Sequence, residues 1–240
     1  MLEETIEELR SAALDAADAS GYFAAMYARV TDRVQTAIND GRFGDGEQMA
    51  RFARTFVNWY LGPRRGTRPL PGCWKAAEDV AGNPRLVIVQ HLLLGINAHV
   101  NHDLPQVVVE FADTGFTLDE LRPGFDAINA LLAQTQPDIL RDLGRVCGWT
   151  HVATMFGGGR LFNFSLDRAR DQAWSTAVRL HPLDAGARQG EVAELDRLVS
   201  ILAYMITRPV PPLALLLPIA KHSEDHDPRG VTRRLLGRLA

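Results

Sequence analysis

The chain has 240 residues, 46% of them hydrophobic and 23% charged, with a formal net charge of −3. That length buries a sizeable core, and the balance is that of an ordinary folded protein. Without a basic excess there is no general hold on a polyanion, which argues against nucleic acid as a partner, and Cys73 and Cys147 form neither a disulfide framework nor a zinc-finger spacing.

The chain begins MLEETIEELRSAALDAAD, acidic and amphipathic, unlike a secretory signal. Leu2, Ile6, Leu9 and Leu14 recur at helical spacing and predict a helix over 2–18. A second helix over 22–39 places Phe23, Met26, Tyr27, Val30, Val34, Ala37 and Ile38 on one face, and Asp40-Gly41 stops it. A third over 45–61 turns Met49, Phe52, Ala53, Phe56, Val57 and Tyr60 inward. The basic stretch GPRRGTRPLPG, 62–72, reads as a solvated loop; Arg64, Arg65 and Arg68 are the alternative, as holders of an oxyanion. A short helix over 74–80 precedes Pro84, which suits the first turn of a long apolar helix over 85–104.

Thr117 and Glu120 form a capping box for a helix over 118–134, and Pro137 starts another that reaches about 146. GGGR at 157–160 lacks the Lys-Ser/Thr ending of a P-loop and follows no strand, so it is read as a loop without a nucleotide role. Helices over 163–180 and 190–207 follow, the second with Glu194, Asp196 and Arg197 on its outer face. VPPLALLLPIA, 210–220, is too short for a membrane span and is expected to pack on the core. A turn and a short basic helix end the chain. LVIVQ at 86–90 is the one strand-like run, and it continues into the leucine-rich helix. The expectation is an all-α protein: a single domain over 1–240, a multi-helix bundle around the buried helix 85–104, cytoplasmic and without a membrane span.

The chemistry concentrates in HLLLGINAHVNHDLP, His91 to Pro105. At about 100° per residue, His91, Gly95, Ala98, His99, His102 and Asp103 share one side of this helix. Asn97 and Asn101 form a second polar strip. Each polar group buried without a partner costs roughly 2–7 kcal/mol, so these need side chains, water or a metal ion. His99 and Asp103, at i and i+4, suit either two ligands of one ion or an imidazole oriented by a carboxylate. Gly95 leaves a notch one turn earlier. Pro105 cannot donate to the Asn101 carbonyl, so the helix is expected to kink or end there.

LLLGINAHVNHDL at 92–104 is accompanied by YxxVTxxV from Tyr27 to Val34, GRF at 41–43, FxxxY at 56–60, Trp74, FDAIN at 125–129, and Arg168 or Arg170 ahead of Trp174. Along nearly its whole length the chain resembles an uncharacterised family of bacterial all-helical domains marked by an LLLGxNAHxNxDL helix. That resemblance implies the fold and no activity. Over a shorter span Leu94, Gly95, His99 and Asp103 are similar to the LGxxxHxxxD helix of zinc-dependent phospholipase C and P1-type nucleases. This second resemblance implies His99 and Asp103 as metal ligands. The chain departs from it in lacking an HxxxE partner helix, a histidine five or six residues past Asp103, and an N-terminal tryptophan. A three-zinc centre therefore does not follow, and one divalent ion (zinc, iron or manganese) or none remains.

The candidate catalytic set is His99, Asp103 and His91. Candidates for substrate contact are Asn97, Asn101, Asp126, Asn129, Arg170 and Trp174, with Asn97 and Asn101 alternatively serving as ties between helices. His151 is a further candidate, His102 has the right face for the site with a surface position near the helix end as the alternative, His181 is expected as a helix cap, and His222 and His226 as exposed. Three functions fit. One is a metal-dependent hydrolase of an ester or phosphoester, with hydroxide generated on the ion. Another is a metal-free cyclase or lyase of a biosynthetic pathway, with His99 as acid–base and Asp103 fixing its tautomer in an apolar pocket. The third is a non-enzymatic helical binding protein with a structural polar network. The expected partner is a small molecule, and the amphipathic first helix offers a face for a homodimer.

Overall fold

A computed structural model describes the backbone of residues 1–147, 160–211 and 213–237, and all regular structure within them is helical. The elements are α1 (Glu3–Asp15), α2 (Ser20–Asn39), α3 (Gly46–Leu61), α4 (Gly72–Glu78), α5 (Ile88–Asn97), a π-helical segment (Ala98–Asp103), α6 (Leu104–Ala112), α7 (Leu118–Cys147), α8 (Arg160–Leu180), α9 (Ala185–Thr207), α10 (Leu213–His222) and α11 (Pro228–Leu235). Local signals set many of the boundaries. Asp45, Asp184 and Asp227 each accept a backbone N–H of the first turn that follows, and Thr117 and Glu120 exchange hydrogen bonds as a capping box.

α5, the π segment and α6 run on as one rod through the centre of the bundle. Its apolar residues occupy most of its circumference, so it must be surrounded. It packs against α2, α3, α4, α8 and α9. Its first turn is capped from far away in sequence. The buried Glu224, just after α10, accepts the Ile88 N–H with both carboxylate oxygens at 3.0 Å. A carboxylate at a helix N-terminus is favoured by the orphan N–H groups and by the helix dipole.

The rod passes Pro105 instead of ending there. The Leu104 N–H reaches back five residues to the His99 carbonyl, and Pro105 follows in the first turn of α6, where a missing N–H costs nothing. Widening the helix by one residue per turn is how the chain absorbs the proline. A similar difference occurs at Pro137, which lies inside α7 and does not open a new helix. A proline removes one ladder bond and bends the axis without having to end the helix.

The segment at 210–220 also differs from expectation. α10 buries Leu217 and Ala220, one turn apart, but Leu215, Leu216, Ile219 and the preceding Val210 are exposed. Leu198, Ile201, Leu202, Tyr204 and Met205 of α9 are exposed as well. The segment is apolar all round, and one packed face cannot cover it. Among the described residues no helix is long and apolar enough to cross a membrane.

Candidate functional site

Asp103 is 1% exposed and lies at the centre of a buried hydrogen-bond network. Its Oδ2 accepts the Trp74 indole N–H at 2.9 Å and a longer bond from His99 Nδ1 at 3.4 Å. Its Oδ1 accepts from His102 Nδ1 at 2.8 Å. Burial works to raise the Asp103 pKa, but the N–H groups of His102 and His99 outweigh it and hold the carboxyl below its ordinary value. A carboxylate can only accept, so both histidines present Nδ1–H to it.

His99 is walled in by rings. Phe56 stacks on it at 3.7 Å and 7°, the Tyr27 ring meets it edge-on at 4.4 Å, and Phe23, Tyr60 and Trp74 lie within 6.5 Å. Burial in this apolar shell pulls its pKa down, against the opposing pull of Asp103, and favours the neutral ring. Its Nε2 is buried and has no hydrogen-bond partner.

His99 lines a cavity of about 160 Å³ bounded by α2, α3, α5, the π segment, the start of α6, α7 and α8. The walls are mostly apolar, from Phe23, Tyr27, Phe52, Phe56, Leu92 and Ile96 among others. The polar residues among them are few: Tyr27, Thr31, His99, Asn129 and Arg170. Thr31 already donates to the Tyr27 carbonyl. The Arg170 side chain is 11% exposed and donates to Asp167 at 3.3 Å. Burial lowers its pKa, which shows how poorly the cationic form is solvated there.

The cavity therefore brings together His99, Asn129 and Arg170 of the residues expected from sequence. The others lie elsewhere. His91 meets Tyr22 edge-on at 5.9 Å and lines a smaller cavity with Tyr60, Arg64, Trp74 and Gly95. Phe23 borders both cavities and fills the notch at Gly95. Asn97 donates to the Val199 carbonyl on α9 at 2.9 Å and accepts from Asn101, so this pair joins the rod to α9. Asp126 is exposed and paired with Arg122 at 2.9 Å. Trp174 packs on Phe125 in a separate core cluster, with Arg122 over its ring. His151 and residues 157–159 of the glycine loop lie outside the described residues. His181 lies 4.0 Å from Asp113, and His222 and His226 are exposed.

The loop arginines are engaged on the surface. Arg64 lies over the Tyr60 ring and 3.6 Å from Glu78, Arg65 pairs with Glu8, and Arg68 pairs with Glu110 at 2.7 Å while covering Trp59.

The Trp74 donor and the Phe56 stack carry no signal in the sequence, and His102 is buried on the face it shares with His99 and Asp103 instead of reaching the surface. Sequence spacing also does not group Cys73, His102 and Asp196, whose ligand atoms lie within 4.8 Å of one another. The i, i+4 rule covers pairs within one helix, and these contacts join different helices.

Residues 2–209 match the family described as "Family of unknown function (DUF5995)", and the chain belongs to that family. No curated protein and no solved structure matches it. Nothing in these matches supports the short likeness of the central helix to zinc-dependent phospholipase C and P1-type nucleases.

Proposed function

We propose that this DUF5995 protein binds a small, mostly apolar molecule with one anionic group in the cavity beside His99, and that His99 acts on it as a general acid–base through Nε2. One observation carries the reading. The imidazole commits Nδ1 to Asp103, its Nε2 is buried without a partner, and the residue lines an apolar cavity. A buried acceptor left unsatisfied costs about 1–3 kcal/mol, which a ligand's proton would recover. Arg170 adds the anion preference, since a poorly solvated guanidinium gains from a carboxylate in its planar fork. A cavity of about 160 Å³ suits a single ring or a short branched chain. The corresponding chemistry is proton removal and return, as in a metal-free lyase or cyclase.

Ligation of one metal by His99 and Asp103, for ester hydrolysis, has less support. Both Asp103 oxygens already accept N–H groups, from Trp74, His99 and His102, and ligation would compete with these bonds.

Phenylacetate and 2-phenylethanol serve as probes, with binding followed by calorimetry and by histidine NMR. The acid should bind more tightly than the alcohol and shift the His99 ring signals. Arg170→Met should remove the preference for the acid, and Ile96→Trp, which fills the cavity, should remove both. Binding that survives Ile96→Trp, or that leaves the His99 signals in place, would refute the assignment.

A further inference from the structure

Cys73 lies in the first turn of α4, His102 sits in the π segment and Asp196 lies on α9, yet one ligand atom from each falls within 4.8 Å of the other two. Cys73 and His102 are buried, while Asp196 is partly exposed and gives the group a side open to solvent. We infer that Cys73, His102 and Asp196 bind one zinc-like divalent metal ion and leave its fourth position for water. This inference does not depend on the cavity beside His99.

The donor set is thiolate, imidazole and carboxylate. A thiolate selects zinc over magnesium, calcium or manganese, and three protein ligands with one open position is the arrangement of zinc sites that admit water. His102 is prepared for the role. Its Nδ1 is 2.8 Å from Asp103 Oδ1, so Nδ1–H donates to the carboxylate and Nε2 is the nitrogen left to bind the ion. Trp74 holds the other oxygen of Asp103, which fixes the carboxylate behind the ring.

The local charge points the same way. Asp103 is fully buried, and its partners Trp74, His99 and His102 include no permanent cation. The carboxylates of Asp103 and Asp196 bring a charge of −2 to the group. A divalent ion that displaces the Cys73 proton brings the group to −1.

Two existing contacts must be compatible. Asp196 accepts the N–H groups of Gly72 and Cys73 at 2.8 and 2.9 Å, one on each oxygen, and also accepts from the Cys73 thiol, whose proton leaves when the ion binds and frees that lone pair. Gly72 permits this approach, because a Cβ there would lie 2.9 Å from Asp196 Oδ2. Gln106 Nε2 donates to the His102 carbonyl at 2.9 Å and lies 3.3 Å from His102 Nε2, so its amide turns aside when the ion enters.

The test is titration of chelator-stripped full-length protein with Co²⁺, then displacement by Zn²⁺ in competition with a chromophoric chelator. One ion per chain and a thiolate-to-cobalt charge-transfer band are expected. The band should persist in Cys147→Ser and vanish in Cys73→Ser. His102→Gln should weaken Zn²⁺ at least tenfold, a second variant in case Cys73→Ser fails to fold. Asp103→Asn, which touches no ligand atom of the ion but positions His102, should weaken Zn²⁺ by about 10–100-fold. Melting curves of the metal-free variants confirm that they fold. No bound ion in the wild type, an ion without the thiolate band, or Zn²⁺ affinity unchanged in His102→Gln would overturn the site.

Discussion

One methyl group at position 95 should displace the ring that borders both cavities. An alanine Cβ there would lie 2.5 Å from Phe23 Cγ and Cδ2 and 2.7 Å from Phe23 Cβ. The last distance is decisive. Rotating the ring moves Cγ and Cδ2, but Cβ moves only with the backbone of α2, so the helices must separate. Overpacking of this kind costs about 1–3 kcal/mol, and contact at Cβ places it near about 3. Alanine regains about 1 kcal/mol of helix propensity over glycine, so Gly95→Ala should be less stable by about 2 kcal/mol. For a chain of this size that is roughly 4–8 °C in Tm. Urea unfolding followed by circular dichroism measures the first figure and calorimetry the second. Phe23 also touches Tyr60, Trp74 and His99, with ring centroids 5.1, 5.4 and 5.3 Å away, so the His99 ring signals should shift in the same variant. A Gly95→Ala protein as stable as wild type would refute the packing argument.

Trp74→Phe removes one of three N–H donors from a buried carboxylate and should cost about 1.5–3 kcal/mol in urea unfolding. Trp59→Phe, whose indole bonds the more exposed Glu110, should cost less. Burial first, then the charge of Lys221, lowers the His91 pKa from 6.5 to about 4. The unfolded chain therefore binds this proton more readily. The contribution of His91 is whole above pH 6.5 and falls away toward pH 4, so wild type should lose stability relative to His91→Gln across that window. Arg170→Met replaces a largely buried, weakly paired cation and should stabilise the protein by about 1 kcal/mol while lowering phenylacetate affinity to that of 2-phenylethanol.

Much of this architecture is legible in residue periodicity. Apolar residues around most of the segment from Leu92 to Leu104 require a central rod, and the i, i+4 spacing places His99 beside Asp103. What escapes is set by contacts between helices. Trp74 reaches Asp103 across 29 positions, and Asp196 reaches the start of α4 across more than a hundred. No spacing rule links such residues. Asp196 reads as an outer-face residue because α9 is apolar on several sides, so its phase does not say which side is covered. The same ambiguity hides the exposure of α10. Pro105 signals a break, and the π turn that bypasses it depends on a longer-range hydrogen bond that no local propensity specifies.

The decisive measurement is the tautomer of His99. Long-range ¹H–¹⁵N correlation on histidine-labelled protein reports which ring nitrogen carries the proton. A neutral ring at pH 7, protonated on Nδ1, is expected, with the Nε2 resonance moving when phenylacetate is added. An Nε2–H tautomer, or a doubly protonated ring at that pH, would rule out His99 as the acceptor proposed above.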